Sequence, residues 1–421
     1  MTENRGDRRS ALVGSLVTLL LVAFLARLAG LLLADRMVAD VLRYHKVASH
    51  VLDVSWNPYE APRLYPYPPL WIVFEVGAEW LSRLLGGGFP ILVKLPVVAA
   101  DLGIVWLLAR VGSRRRKASN DAEQSPAVGS GLQAAWIYAL HPVALLVSGF
   151  HGQFDSLAVL SVLVAIVCHD AQRRDASALA LAFGIATKSY PVLLLPFFLL
   201  AQPDLRKATR FLLLASLPVA VLLLPFAVAD APALRRELFG YGGIADFGWI
   251  GLVRAVRWLA TGVLARSEAV LWPNAVVWGK LTFLAAWLGL MALCFRRRRE
   301  VSVVDACLAV LLAFLGLYGA VSAQYLLWVV PLGLLRPDRY SASFGASATV
   351  ALVGFYPFLA PGVLYPVAAG DGASPLFGVV WGVGLALLLG ATLVWLGATV
   401  VRLLGACHDA NGRERPEVGF A

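Results

Sequence analysis

The sequence predicts an all-α, polytopic transmembrane helical bundle, on three observations. Of its 421 residues, 59% are hydrophobic and only 15% charged, where soluble chains hold about 45–50% and about 25%. Apolar runs long enough for a hydrocarbon core of about 30 Å recur along the chain. The Lys and Arg residues behind the net charge of +10 sit in short clusters between those runs, as cytoplasmic loops do. That clustering argues against nucleic acid as a partner, because no basic stripe with interleaved aromatics is present.

Taken in order, the polar start (1–10), with Arg5, Arg8 and Arg9, is expected in the cytoplasm. Residues 11–33 read as a retained first span, too long for a signal-peptide core. A long first outer loop follows at 34–67, in which DVLRYHKVASHVL is a candidate surface helix. Asn57-Pro58-Tyr59 and Tyr65-Pro66-Tyr67-Pro68-Pro69 mark its extended return, since each Pro restricts the residue before it. The next run, 68–88, carries Glu75, Glu79 and Arg83 at i, i+4 spacing. A full crossing there would deliver Arg114 to Lys117 to the outer face, so it reads as an interfacial or re-entrant helix.

From 90–110 the alternation is regular. Residues 132–149 go outward, 156–168 return to Arg173 and Arg174, and 177–188 rise again. The descent PVLLLPFFLL (191–200) is too short to cross and must be shielded by protein or line a cavity. Residues 211–228 lead to a second outer region, 229–271, whose VRAVRWLATGVLAR reads as an interfacial helix. Residues 272–295 descend to Arg296–Arg299, 301–320 rise, and LLWVVPLGLL (326–335) repeats the short descent. Spans near 344–360 and 376–402 bring the total to roughly 12 crossings. The transmembrane domain is therefore 11–403, and the polar tail 404–421 is expected to be disordered. Cys168, Cys294, Cys307 and Cys407 form no CxxC motif and read as packing residues.

On this topology four polar groups share the outer side: the first loop, His151-Gly152-Gln153-Phe154-Asp155, Lys188-Ser189-Tyr190, and Ser322 to Tyr325. Ionisable groups at membrane depth are functional candidates by default. A lone carboxylate over a wet site suits a general base, and Asp40 is the candidate. The other reading makes it a surface acid paired with Arg43, or a helix cap. Asp53 reads as a plain loop acid. His151 suits donation to an oxyanion or a leaving phosphate, or is a hydrogen-bonded packing histidine. Asp155 suits orienting a base or a sugar hydroxyl. Lys188 is either a snorkelling anchor or a cation for a lipid phosphate. No metal ligands are assigned, because the histidines show no paired-ligand spacing. No cofactor is expected, and a divalent metal stays open. P-loop and GxSxG patterns are missing, so an activated lipid or an ion gradient must supply the energy.

Asp40, NPY (57–59), YPYPPLW (65–71), HGQFD (151–155), ATKSYPVLLLP (186–196) and SAQYLLWVVP (322–331) occur in this order. Together they resemble the polytopic GT-C glycosyltransferases. The nearest groups are the bacterial polyprenol-phosphate-mannose-dependent transferases, the eukaryotic GPI mannosyltransferase I and the lumenal glucosyltransferases of N-glycan assembly. The resemblance implies a GT-C type bundle moving one hexose, mannose first, with inversion. The donor would be a polyprenyl-phosphate sugar and the acceptor a glycolipid or glycan, at an outer-face site of a multi-pass cell-membrane enzyme. It implies Asp40 as general base, His151, Gln153 and Asp155 at the donor, and Lys188 at the carrier phosphate. Tyr67, Tyr190, Gln324 and Tyr325 would complete the substrate site. The rival reading is a transporter or flippase of a lipid-linked sugar, which broken helices also suit.

Overall fold

The computed structural model describes residues 3–33, 39–61, 64–118, 131–240, 243–266, 273–297, 302–364 and 374–405. Among them the chain is helical throughout, with no strand and one isolated antiparallel bridge, Phe247 to Val321. The all-α expectation therefore stands. The tail from 406 onward, Arg298, Arg299 and parts of both long loops lie outside the described residues.

The first helix, α1 (Glu3–Leu33), takes in most of the polar start. The first loop is largely structured. It holds α2 (Ala39–Asp53) and a 3-10 turn, Pro58–Glu60, where the Asn57 side chain accepts from the Tyr59 amide at 3.1 Å. Val41, Tyr44, Val47 and Ala48 give α2 one buried face, as an amphipathic helix requires. The ambiguous run becomes α3 (Leu70–Leu85), ended by Gly86 at φ +74°, which a side chain would strain.

Next come α4 (Phe89–Ala118), α5 (Gly131–Ala139) and α6 (Pro142–Ala144), the last continuing as a π-helical segment, Leu145–Phe150. The axis bends by 44° between α5 and the piece Pro142–Phe150. Pro142 holds His141 in extended backbone, and the His141 ring accepts from the Val143 amide. Then follow α7 (Asp155–Asp170), α8 (Arg174–Thr187) and α9 (Leu195–Leu200). The longest helix, α10 (Leu205–Gly240), is broken at Asp230, whose carboxylate caps the second half through the Ala233 amide. The remaining helices are α11 (Gly248–Thr261), α12 (Pro273–Arg296), α13 (Val303–Leu317), α14 (Val330–Leu335), α15 (Arg339–Leu359) and α16 (Pro375–Gly405).

Among the described residues, six helices are long and apolar enough to cross a membrane, or seven if the bent pair is one span. The other expected crossings fall on α7, α8, α9, α13 and α14, of 16, 14, 6, 15 and 6 residues. These short helices have protein neighbours, so packing rather than bilayer thickness sets their length. The clearest case is α13, buried from Val303 to Gly316 and apolar all round except for Asp305, which pairs with Arg336. α15 and α16 pack so closely that a Cβ on Gly354 would lie 2.2 Å from the Trp381 nitrogen. Only glycine allows that approach.

Candidate functional site

The turn between the π-helical segment and α7 organises the site. Gly152 takes φ +77° there, a conformation open to glycine at no steric cost. The turn directs His151 and Gln153 onto one oxygen of Asp40, in the first turn of α2. His151 Nε2 lies 2.9 Å and Gln153 Nε2 2.5 Å from Asp40 Oδ2. With its proton on Nε2, the His151 ring donates to the carboxylate and accepts at Nδ1 from the Tyr356 hydroxyl, 3.1 Å away. The Tyr44 hydroxyl donates to Gln153 Oε1 at 3.2 Å and so orients the amide. Arg43 approaches the other Asp40 oxygen only to 3.9 Å.

Asp155 opens α7 on the far side of the same turn. Lys188, at the end of α8, places Nζ 2.5 Å from Asp155 Oδ2, and Trp328 Nε1 donates to Oδ1 at 2.6 Å. The ammonium also faces the rings of Phe154, Tyr67 and Tyr325, with centroids 4.6, 5.6 and 6.0 Å away. Such cation–π contacts add to the pairing when desolvated. Tyr190 and Tyr325 both stack on Trp328.

The two carboxylates thus have different surroundings. The Asp155 side chain is 0% exposed and already matched by Lys188. The Asp40 side chain is 23% exposed, so it is the acid a ligand can reach. Burial raises the Asp40 carboxyl, but the hydrogen bond from His151, with the nearby Arg43 and Lys188 charges, outweighs it and holds it below its ordinary value. Asp40 is therefore ionised at neutral pH, a strong acceptor for hydroxyl or ammonium groups.

Of the residues expected from sequence, Asp40, His151 and Gln153 form one cluster. Asp155, Lys188, Tyr190, Tyr67 and Tyr325 form a second, joined to the first by the turn. Gln324 is half-buried in the 3-10 segment Ala323–Trp328 and bonds to neither cluster. Asp53 lies apart, paired with Arg83 through two contacts of 2.7 Å. Tyr44, Trp328 and Tyr356 were missed, because nothing in an isolated aromatic shows what its polar atom will meet. Glu79 pairs with Arg83 at 2.8 Å and with His45 at 2.9 Å. Glu75, one turn away on α3, is fully buried and has no hydrogen-bond partner on either carboxyl oxygen.

Fold and site together define a polytopic, all-helical membrane protein with a polar site built around one loop-held carboxylate. Residues 38–230 match the family model described as GPI transamidase subunit PIG-U, and over that stretch the chain is similar to this family. No curated protein matches the chain. The matched stretch contains Asp40, Tyr67, His151, Gln153, Asp155, Lys188 and Tyr190, while Gln324 and Tyr325 lie beyond it.

This match corrects the expectations drawn from the GT-C resemblance. The description is of a transamidase subunit, so the hexosyltransferase activity is withdrawn, and with it Asp40 as a general base for glycosyl transfer. The polyprenyl-phosphate-sugar donor loses its support, and the flippase alternative falls to the same finding. The physical reason is that motifs such as HGQFD and YPYPPLW record how polar turns and proline-rich returns are set among membrane helices. That architecture hosts more than one function.

Proposed function

We propose that the chain is an integral-membrane subunit of a transamidase-type assembly, and that its Asp40 site holds the glycan head of a membrane glycolipid. The observation that carries this reading is the coincidence of the PIG-U match with the polar site. Asp40, His151, Gln153, Asp155, Lys188 and the turn joining them fall inside residues 38–230, while Tyr325, Trp328 and Tyr356 contribute from beyond it. The chemistry agrees. Asp40 accepts hydroxyl groups, and His151 and Arg43 offer donors around it. Half-buried Tyr67 and Tyr325 supply the aromatic walls that sugar rings stack against. The turn before α7 and the basic residues Arg173 and Arg174 lie at opposite ends of that helix, which supports a site facing away from the cytoplasm by the charge rule.

The test is binding by the full chain in lipid nanodiscs. A glycosylated phosphatidylinositol should bind, and Asp40→Asn should weaken it about tenfold, the loss of one charge-assisted hydrogen bond. Equal binding of phosphatidylinositol without its glycan, or an unchanged affinity in Asp40→Asn, overturns the reading.

A further inference from the structure

Beneath the turn lies a second polar network that sequence reasoning passed over. Asp101 of α4 is fully buried and accepts from three helices at once. Arg27 Nε of α1 donates to Oδ2 at 2.8 Å, and Tyr138 of α5 and Ser156 of α7 each donate to Oδ1 at 2.7 Å. Ser156 in turn lies 2.8 Å from Ser148, so the two serines that flank His151 to Asp155 are joined to each other and to Asp101. Two turns earlier on the same face of α4, buried Lys94 donates to the Phe150 carbonyl at 2.9 Å. Its stem runs directly under Gly152, where an added Cβ would come within 2.6 Å of Cε.

These contacts reach the segment immediately before the turn, its glycine and the residue immediately after it. The backbone from Phe150 to Ser156 is therefore set by α4 as well as by its own local bonds, from the His151 amide to the Leu146 carbonyl at 2.9 Å and from the Gln153 amide to the Val147 carbonyl at 3.1 Å. A π-helical segment packs its turns less regularly than an α-helix and is frequently found at functional sites. Arg27 compensates the Asp101 charge and donates to the Ala139 and Ala23 carbonyls, which keeps a buried pair tolerable at this depth.

We infer that Asp101, acting through Ser156 and Ser148, is a positioning residue that sets the grip of His151 and Gln153 on Asp40. It touches no ligand. The inference concerns the same site as the glycolipid reading, but its test needs no ligand, so the two fail separately.

The experiment is a double-mutant cycle on thermal unfolding of the full chain in nanodiscs, pairing Asp40→Asn with His151→Gln. In the wild-type background the two changes should be non-additive, since the side chains are in direct contact. In a Ser156→Ala background that coupling should fall to less than about half, because the link from Asp101 to the turn is cut while Arg27 and Tyr138 still satisfy Asp101. Ser177→Ala is the control. It removes one buried hydrogen bond of the same kind, to the Ala165 carbonyl at 2.7 Å, with no route to the turn. It should lower the midpoint and leave the coupling intact. The paired change Arg27→Met with Asp101→Leu, which takes the acceptor away from Ser156, should reduce the coupling as Ser156→Ala does. Full coupling in the Ser156→Ala background, or an equal loss in Ser177→Ala, overturns the inference.

Discussion

Lys188 Nζ lies 2.5 Å from Asp155 Oδ2, and both side chains are buried within a wall of aromatic rings. A pair this deep is defined by what its separation would cost rather than by what its formation gains. Removing one partner from a buried pair costs about 3–5 kcal/mol, because a lone charge remains. Lys188→Met is therefore expected to lower stability by about that amount. The combined change Asp155→Asn with Lys188→Met should recover most of it. Denaturant or thermal unfolding in detergent micelles measures both.

Asp40 gives a pH dependence of fixed sign. Its carboxyl is held below the ordinary value in the folded state. Its contribution to stability is thus fully present above the unfolded value near pH 4 and is lost as pH falls through the lowered folded value. Asp40→Asn should be less stable than the wild type at pH 7. The gap should close as the protein is acidified, read from unfolding midpoints between pH 3 and pH 7.

Glu75 has the opposite sign. Burial, with only the Trp71 indole nearby in opposition, raises its carboxyl well above the ordinary value. A neutral acid in the folded state loses relative stability as pH rises from the unfolded value through the folded one. The stability of Glu75→Gln relative to the wild type should therefore increase between about pH 4 and pH 7. A difference that shrinks with rising pH would mean that Glu75 is ionised and paired.

Gly152→Ala tests the turn directly. The new Cβ would meet Lys94 at 2.6 Å on a backbone at φ +77°. Left-handed strain and overpacking each cost about 1–3 kcal/mol, and Lys94, fully buried, has little room to yield. The variant should lower the unfolding midpoint and weaken headgroup binding together.

Much of this architecture is legible along the chain. The apolar runs, the break at His141-Pro142, the short helices after Lys188 and Ser322 and the polar character of HGQFD follow from local residue chemistry. The sequence also placed Asp40, His151, Asp155 and Lys188 among the candidates by one argument, that ionisable groups among apolar runs need a reason. The same argument, applied evenly, would have found Arg27, Lys94 and Asp101. They were passed over because each sits singly inside a run whose average hydropathy hides it. The number of full crossings was not legible. A helix of 15 residues can be apolar because lipid surrounds it or because protein does, and local composition is alike in the two cases.

By itself, then, the sequence determined that this is a helical membrane protein, where its helices break, and which polar residues stand out against them. Hydropathy, proline and glycine act over a few residues, so their consequences can be read in place. The tertiary structure alone decided which acid meets which cation. Asp155 could have paired with any buried base, yet it meets Lys188, 33 positions away. Asp40 meets His151 across 111 positions. Pairings at such separations depend on how the helices pack, and packing is a property of the whole chain rather than of any stretch of it.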